Sequence, residues 1–556
     1  MIEAISIPTK QENLHLSKDI LDSLPYKDRI IKNVINKIEL DQLTEIKEDT
    51  LGVLFENIIT EQKRKDLGQF YTPQEIVNYM VNFLNIKPNS KILDPTCGCG
   101  VFLVTAYNYI KQQNPNAIKN IFGVDLNNSA TKLTRINLWL RNGQDSNSLK
   151  IIEKNIKIGN SIVGNRFVDR KAIDWKKQFS DVLVEGGFDF IIGNPPFVTL
   201  KNKRDYDASE SFFSHIANGN TNAASLVIAR SYELLKDGGV MAFVLPKTLI
   251  KVNSYSRLRE FLLDNSKILH ILDLGTYFKD VRGEQIVLFI QKTDNKEQIQ
   301  DNNVLVKIFD ENKEFYVPQK IFKKYNTFLM FEDESYYRLI EKIKGENLEN
   351  VADIFRGISI SPKSEIISKS NDKGKVSIIK GNDISKFSCS NGFFINIEGL
   401  TSNSSKLKEF QKRKIILQNI FSSEAGVISS IDEKGSLNFD TVTNVILKDR
   451  YYELDYIYGL LNSKLINFYL MYAVFNKSKL TMHTDKVYLG KIPIRRATKE
   501  EQKDIIQLVK KIDKNNFKKI LPELDKKIYK LYEIAETEQN KIDIALKQIM
   551  SEKSVW

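Results

Sequence analysis

The sequence predicts an α/β protein: a Rossmann-like doubly wound sheet with a helical segment before it and a mixed α+β region after it. Three observations predict this. Apolar runs of strand length alternate with segments of helical period between about residues 66 and 330. Successive runs end on glycine-rich or polar turns, as strands of such a sheet do at the edge where ligands bind. Beyond about residue 335 the alternation stops, and short strands and loops lead into charged helices after residue 497. The expected divisions are therefore 1–65, 66–330, 335–497 and 498–556.

In the first division, 27–38 and 50–60 carry apolar residues at helical spacing, and 61–66 reads as a charged, solvated stretch. Asp41 followed by Glu45-Ile46-Lys47 collects the residue types of a metal-dependent nuclease. A short helical segment cannot build the sheet that such a core needs, so no cutting domain is expected there. Next, Lys91-Ile92-Leu93-Asp94-Pro95-Thr96-Cys97-Gly98-Cys99-Gly100 reads as a buried strand running into a glycine-rich turn, with a helix over 101–110. Glycines at such a turn let the backbone approach a ligand closely. The spacing is not GxGxxG, which disfavours a dinucleotide. Ile121-Phe122-Gly123-Val124-Asp125 repeats the strand and ends on a carboxylate, either an acceptor for ribose hydroxyls or a cap for the following helix. A third run, from Ile156 to Gly159, ends on Asn160 and Ser161, and Asn160 could read an adenine edge.

The run Phe188-Asp189-Phe190-Ile191-Ile192-Gly193 leads into Asn194-Pro195-Pro196-Phe197, which suits an amino nitrogen attached to a planar ring. That nitrogen is a weak nucleophile because its lone pair is delocalised into the ring. The Asn194 side-chain carbonyl and the Pro195 backbone carbonyl can each accept one amino hydrogen, favouring a pyramidal nitrogen with its lone pair aimed outward. The prolines hold both acceptors in an extended turn, and Phe197 offers a flat face to a base. The plain alternative is a strand-ending turn.

After it, 199–222 is polar and basic, with Lys201, Lys203 and Arg204, and reads as a mobile loop over the substrate in preference to a surface excursion. An amphipathic helix is expected over 223–235 and a buried strand over 240–245, closed by Pro246. Strands over 268–274 and 285–291 flank Gly275-Thr276-Tyr277-Phe278-Lys279-Asp280. Further strands are expected over 351–360, 376–379, 414–420, 426–431 and 441–447, then one long helical segment over 451–474 and charged helices over 502–550.

Taken together, these motifs resemble the amino-group DNA methyltransferases that make N6-methyladenine from S-adenosylmethionine. The arrangement is the one in which cofactor motifs precede the catalytic motif and a target-recognition region follows both. Leu67-Gly68-Gln69-Phe70-Tyr71-Thr72-Pro73 looks like the segment before the first strand, whose Tyr-Thr-Pro portion touches the methionine part of the cofactor. The resemblance implies a cofactor set of Phe70, Tyr71, Thr72, Pro73, Asp94, Pro95, Cys97, Gly98, Gly100, Asp125, Leu126, Asn160, Ser161 and Asn194. It implies catalysis by Asn194, Pro195, Pro196 and Phe197. The hairpin around Gly275 would close the sheet and lend Phe278 to a flipped base, the alternative being that Phe278 is a core aromatic. Asn160 stands where the family often has Asp, and Phe197 where Tyr is commoner. The stretch Leu460-Leu461-Asn462-Ser463, with Val487 to Ile494, is similar to the end of target-recognition domains and specificity subunits.

The balance of 82 Lys and Arg against 70 Asp and Glu, a formal charge of +12, suits a nucleic-acid partner, although Lys-rich usage also follows from an AT-rich genome. Only 3 Cys and 4 His argue against a disulfide framework and a metal site. No leader and no membrane-length apolar run are apparent, which predicts a cytoplasmic, DNA-associated prokaryotic protein. Double-stranded DNA is the expected partner, together with a separate restriction endonuclease or a specificity subunit. Two other functions fit less of the chain: an RNA or protein-glutamine methyltransferase, and a noncatalytic DNA-specificity module.

Overall fold

A computed structural model describes residues 72–553 apart from 145, 165–166, 168, 201–210, 217–220, 279–282, 332, 362–365, 371–374, 391, 397–407, 422–425 and 478–481. The expectations for the helical segment 1–65, for Phe70 and Tyr71, and for Lys201, Lys203 and Arg204 lie outside the described residues. The chain divides after Phe328 into two compact units.

In the first unit the apolar runs form β1 (Ile92–Asp94), β2 (Ile121–Asp125), β3 (Ile156–Ile158), β4 (Phe188–Gly193), β5 (Leu235–Pro246), β6 (Ser266–Gly275), β7 (Gln285–Lys292), β8 (Asn303–Ile308) and β9 (Lys313–Pro318). They build a nine-stranded sheet in the order β3-β2-β1-β4-β5-β7-β6-β8-β9. The strands from β3 to β5 are parallel, and β7 inserts antiparallel between β5 and β6. The chain runs outward one way through β1, β2 and β3, and the other way from β4, so the order reverses beside β1 and opens a crevice at the carboxyl ends there. The resemblance implies that the sheet closes at the β6–β7 hairpin; here it continues. β8 adds in parallel to β6 and β9 adds antiparallel to β8.

The helices α1 (Gln74–Leu84), α2 (Val101–Lys111), α3 (Asn128–Arg141) and α4 (Ser146–Asn155) cover this sheet. Ile76, Val77 and Met80 from α1, Leu103 from α2 and Leu133 from α3 join Ile92, Val244, Leu272 and Phe289 from the strands in one core. Each such side chain contributes roughly 1.5–3 kcal/mol of burial free energy. His270 lies in this layer, fully buried. Its Nε2 meets the Tyr79 hydroxyl at 2.9 Å and its Nδ1 the Leu305 carbonyl at 2.9 Å, and burial lowers its pKa to about 4.

Two expectations change here. The helix α5 (Ala223–Leu234) is not amphipathic: only Tyr232 and Glu233 among its residues are outside the buried set. The described part of 199–222 is also not an open loop. Leu200 N–H donates to Thr221 O at 2.9 Å and Ala223 N–H to Val198 O at 2.8 Å, an antiparallel clasp at its base. Phe213, in the short helix Ser211–Ile216, is fully buried with the Arg230 guanidinium 4.8 Å from its ring centre. The helix over 223–235 is therefore covered in part by the short helix Ser211–Ile216.

The second unit holds one antiparallel sheet ordered Ala352–Arg356, Val442–Leu447, Lys414–Gln418, Ser429–Asp432. A second sheet combines Lys375–Ile379 and Phe393–Asn396 with shorter pieces. The long helix expected over 451–474 is broken into Leu454–Asn462 and Lys464–Tyr469, with a wider turn over Leu470–Val474. Ser463 between them is extended, and its hydroxyl accepts from Ile466 N–H at 3.2 Å as the cap of the second piece. The charged tail forms helices Lys499–Val509, Phe517–Leu531 and Glu536–Lys553.

Candidate active site

The polar strand ends converge on the carboxyl edge of β1, β2 and β4. Asp94 ends β1 only 1 % exposed, its Oδ1 accepting Thr96 N–H at 2.9 Å while Oδ2 is buried without a hydrogen bond. Burial pushes this carboxyl well above the ordinary range, and the charge of Asp125 adds to the rise, against the Thr96 N–H that lowers it. β4 passes so close that a Cβ at Gly193 would lie 2.6 Å from Asp94 Oδ1.

The glycine-rich turn follows. Gly98 and Gly100 have φ of +51° and +90°, a region L side chains avoid. Their surroundings differ. A Cβ at Gly100 would meet Thr134 Cγ2 at 2.7 Å, whereas one at Gly98 would meet nothing within 4 Å. Gly100 thus serves packing against α3, and Gly98 leaves an open face. Its N–H donates to Asp125 Oδ2 at 2.8 Å, and Asp125 Oδ1 accepts Asn127 N–H at 2.7 Å. Burial still raises the Asp125 pKa. The cap of α3 is Asn127, whose side chain accepts from Ser129 and Ala130, so the cap reading of Asp125 gives way to a brace across two turns. Leu126 beside it is 45 % exposed, an apolar side chain at the crevice.

Asn194 leaves β4 with its Nδ2 donating to Thr72 Oγ1 at 3.0 Å. Because the amide nitrogen is taken by a buried hydroxyl, the carbonyl oxygen takes the acceptor role. Pro195 is buried, Pro196 half-buried, and Phe197 half-buried against the core. Glu75, three residues after Thr72, accepts the Tyr277 hydroxyl at 2.7 Å. One short segment therefore touches both the Asn194 turn and the β6–β7 connection.

The family of N-6 DNA methylases matches residues 46–353, more than half of the chain. The chain belongs to the N-6 DNA methylase family. Residues 376–494 match the TaqI-like C-terminal specificity domain. The chain is 26% identical over 361 residues to the Type II restriction enzyme and methyltransferase RM.Eco57I of Escherichia coli, covering 49% of this chain and 35% of that protein. It is 25% identical over 323 residues to the Type II methyltransferase M.VspI of Vibrio sp. (strain 343), covering 57% and 68%. It thus spans about a third of the first relative and about two thirds of the second. The solved Type IIL restriction-modification enzyme MmeI, in complex with DNA, shares the fold, with a TM-score of 0.58 at 12% identity over 91% of this chain and 85% of that one.

In this member of the family several expected site residues also hold contacts within the fold. Asn160 Nδ2 donates to Asp169 Oδ2 at 2.8 Å and its Oδ1 accepts Ile162 N–H at 3.2 Å, so one hydrogen and one lone pair of the amide shape its own turn and one of each remains. The Ser161 hydroxyl donates to Pro95 O and ties β3 to the first turn. Cys97 is buried, its N–H donating to Val124 O at 2.9 Å. Phe278 is 6 % exposed within the core, its ring edge-on to the half-buried Tyr277. It presents no open face to a base. Among the described residues no group of three His, Cys, Asp or Glu could hold a metal, and no helix is long and apolar enough to cross a membrane.

Sequence reasoning passed over Asp169, Glu75, Lys247 and the Thr72–Asn194 bond, whose partners are 122 residues apart. The available signal for Lys247 was its place directly after Pro246 at a strand's carboxyl end.

Proposed function

We propose that this chain is a sequence-specific DNA adenine methyltransferase that transfers the methyl group of S-adenosylmethionine to the N6 amino group of a flipped-out adenine. The observation that carries the reading is Asn194 at the carboxyl end of β4, with its amide nitrogen held by Thr72. One amino hydrogen goes to the Asn194 side-chain carbonyl and the other to the Pro195 carbonyl, which localises the nitrogen lone pair. Phe197 stacks on the base. A base inside a duplex cannot reach these groups, so it leaves the stack at a cost of a few kcal/mol.

Residues of the crevice fit the cofactor. Asp94 Oδ2 is a buried acceptor without a hydrogen bond, Gly98 has open space where a side chain would stand, and Leu126 offers an exposed apolar surface. Asp125 spends two acceptor positions on N–H groups, and a carboxylate has about four, which leaves capacity for ribose hydroxyls. When bound, the cofactor supplies an electrophilic methyl group.

The unit beyond Phe328 reads the bases around the target, supported by its match to a specificity domain. Phosphate contacts from the basic excess carry no sequence information, so site choice needs such a second surface. The chain works in the prokaryotic cytoplasm, alone or beside a restriction endonuclease or specificity subunit. Base-resolution sequencing of genomic DNA from cells expressing the protein tests this. The expected result is N6-methyladenine in one sequence motif. DNA without it, with methylated RNA or protein glutamine instead, would overturn the proposal.

A further inference from the structure

At the carboxyl edge one strand over from Asn194, three charged side chains are gathered that the chemistry above does not use. Lys247 follows β5 directly, and its Nζ lies 2.8 Å from Asp273 Oδ2 and 3.0 Å from Glu284 Oε1. Asp273 and Glu284 are each 6 % exposed. Lys247 N–H also donates to the Glu284 carbonyl at 2.8 Å, and Asp273 Oδ1 accepts Gly275 N–H at 3.1 Å. The sheet register pairs Pro246 with Gln285, and Gln285 with Gly275. One lysine therefore grips both ends of the connection between β6 and β7. Near one of those ends stands Tyr277, whose hydroxyl reaches Glu75 in the segment that also holds Asn194 through Thr72. Phe243 of β5 pairs with Gly193, which puts Asn194 and Lys247 on the same edge of adjacent strands.

A buried ion triad is poor evidence of added stability, because desolvation offsets most of the attraction. Its geometric effect is different. Without the lysine the two carboxylates have no cation between them, and the end of β5 no longer holds both ends of the β6–β7 connection at one point. We infer that Lys247, through Asp273 and Glu284, is a positioning residue for methyl transfer: it fixes the Tyr277–Phe278 segment beside the Asn194 turn, where the target base is received. The inference rests on the function proposed above.

The test uses the full chain and two duplexes containing its mapped methylation site, one with the target adenine to measure turnover and one with 2-aminopurine in its place to report base extrusion. K247M is compared with K247R, which keeps the charge, and with a triple variant carrying K247M, D273N and E284Q, which removes all three charges together. K247M should lower kcat roughly 10- to 100-fold, as loosened reacting geometry does, and reduce the 2-aminopurine signal. Cofactor Kd should stay within about twofold. K247R should recover part of both losses. If K247M does not fold, the triple variant takes its place with the same expected loss. Parent kcat and parent 2-aminopurine signal in either folded variant would overturn the inference, and so would failure of both to fold, which makes the triad a staple of the fold. A parent protein that leaves no N6-methyladenine would instead refute the function and the inference together.

Discussion

Thr72→Val deletes one oxygen and little else, and it isolates how Asn194 is oriented. Thr72 is 3 % exposed, and valine keeps its shape while removing the acceptor 3.0 Å from Asn194 Nδ2. A neutral hydrogen bond is worth about 1 kcal/mol net, a preference of roughly five to one for turning the amide oxygen, and not its NH2, toward the substrate. Without it the two orientations approach equal occupancy, which costs about twofold in rate, and looser placement of the acceptor carries the total toward tenfold. Asn194→Ala removes the acceptor itself and should cost roughly 10²- to 10³-fold. The two effects should not add: with Ala at position 194, Thr72→Val has nothing left to orient. Single-turnover transfer of radiolabelled methyl to a duplex with the mapped site measures both, with cofactor affinity followed by calorimetry. If Thr72→Val slows the Asn194→Ala variant as much as it slows the parent, Thr72 acts elsewhere, and the orientation argument is wrong.

Gly98→Ala should cost stability only about 1–2 kcal/mol for its left-handed backbone yet weaken cofactor binding, since space is open there, whereas Gly100→Ala adds a clash with Thr134 and should unfold at lower denaturant. Asp125→Asn should weaken cofactor binding by about 1.5–3 kcal/mol, the worth of a charged hydrogen bond; parent affinity in calorimetry would leave Asp125 a brace alone. His270 gives a pH signature. Its folded pKa near 4 lies below the unfolded value of about 6.5, so the unfolded chain takes up the proton first. Stability should therefore fall as pH drops from about 6.5 to about 4, by up to roughly 3 kcal/mol, and be fully present above that window. His270→Gln, which can keep both hydrogen bonds, should flatten that slope in urea melts at a series of pH values. An unchanged slope would show that other groups carry it.

What could be read from the chain was what is local. The runs before Asp94, Asp125 and Asn194 announce strands because apolar side chains must be buried, and the glycine-rich turn after β1 announces itself because few residues other than glycine adopt its backbone. Asn194-Pro195-Pro196-Phe197 carries its chemistry within four neighbours. What could not be read depends on partners distant in sequence. Asp125 precedes Asn127 so closely that either could cap α3, and only the folded turn assigns the cap to Asn127 and aims Asp125 at Gly98. Asn160 is oriented by Asp169, a partner that the strand pattern does not announce. Phe278 has the composition of a base-stacking residue and the position of a core residue. The helix over 451–474 had a continuous apolar pattern, yet a single serine capped its second half. Hydrophobic burial is additive along a segment and therefore shows in the pattern of residues. A hydrogen bond or an ion triad exists only where two distant pieces of backbone meet at about 3 Å, and that coincidence is a property of packing.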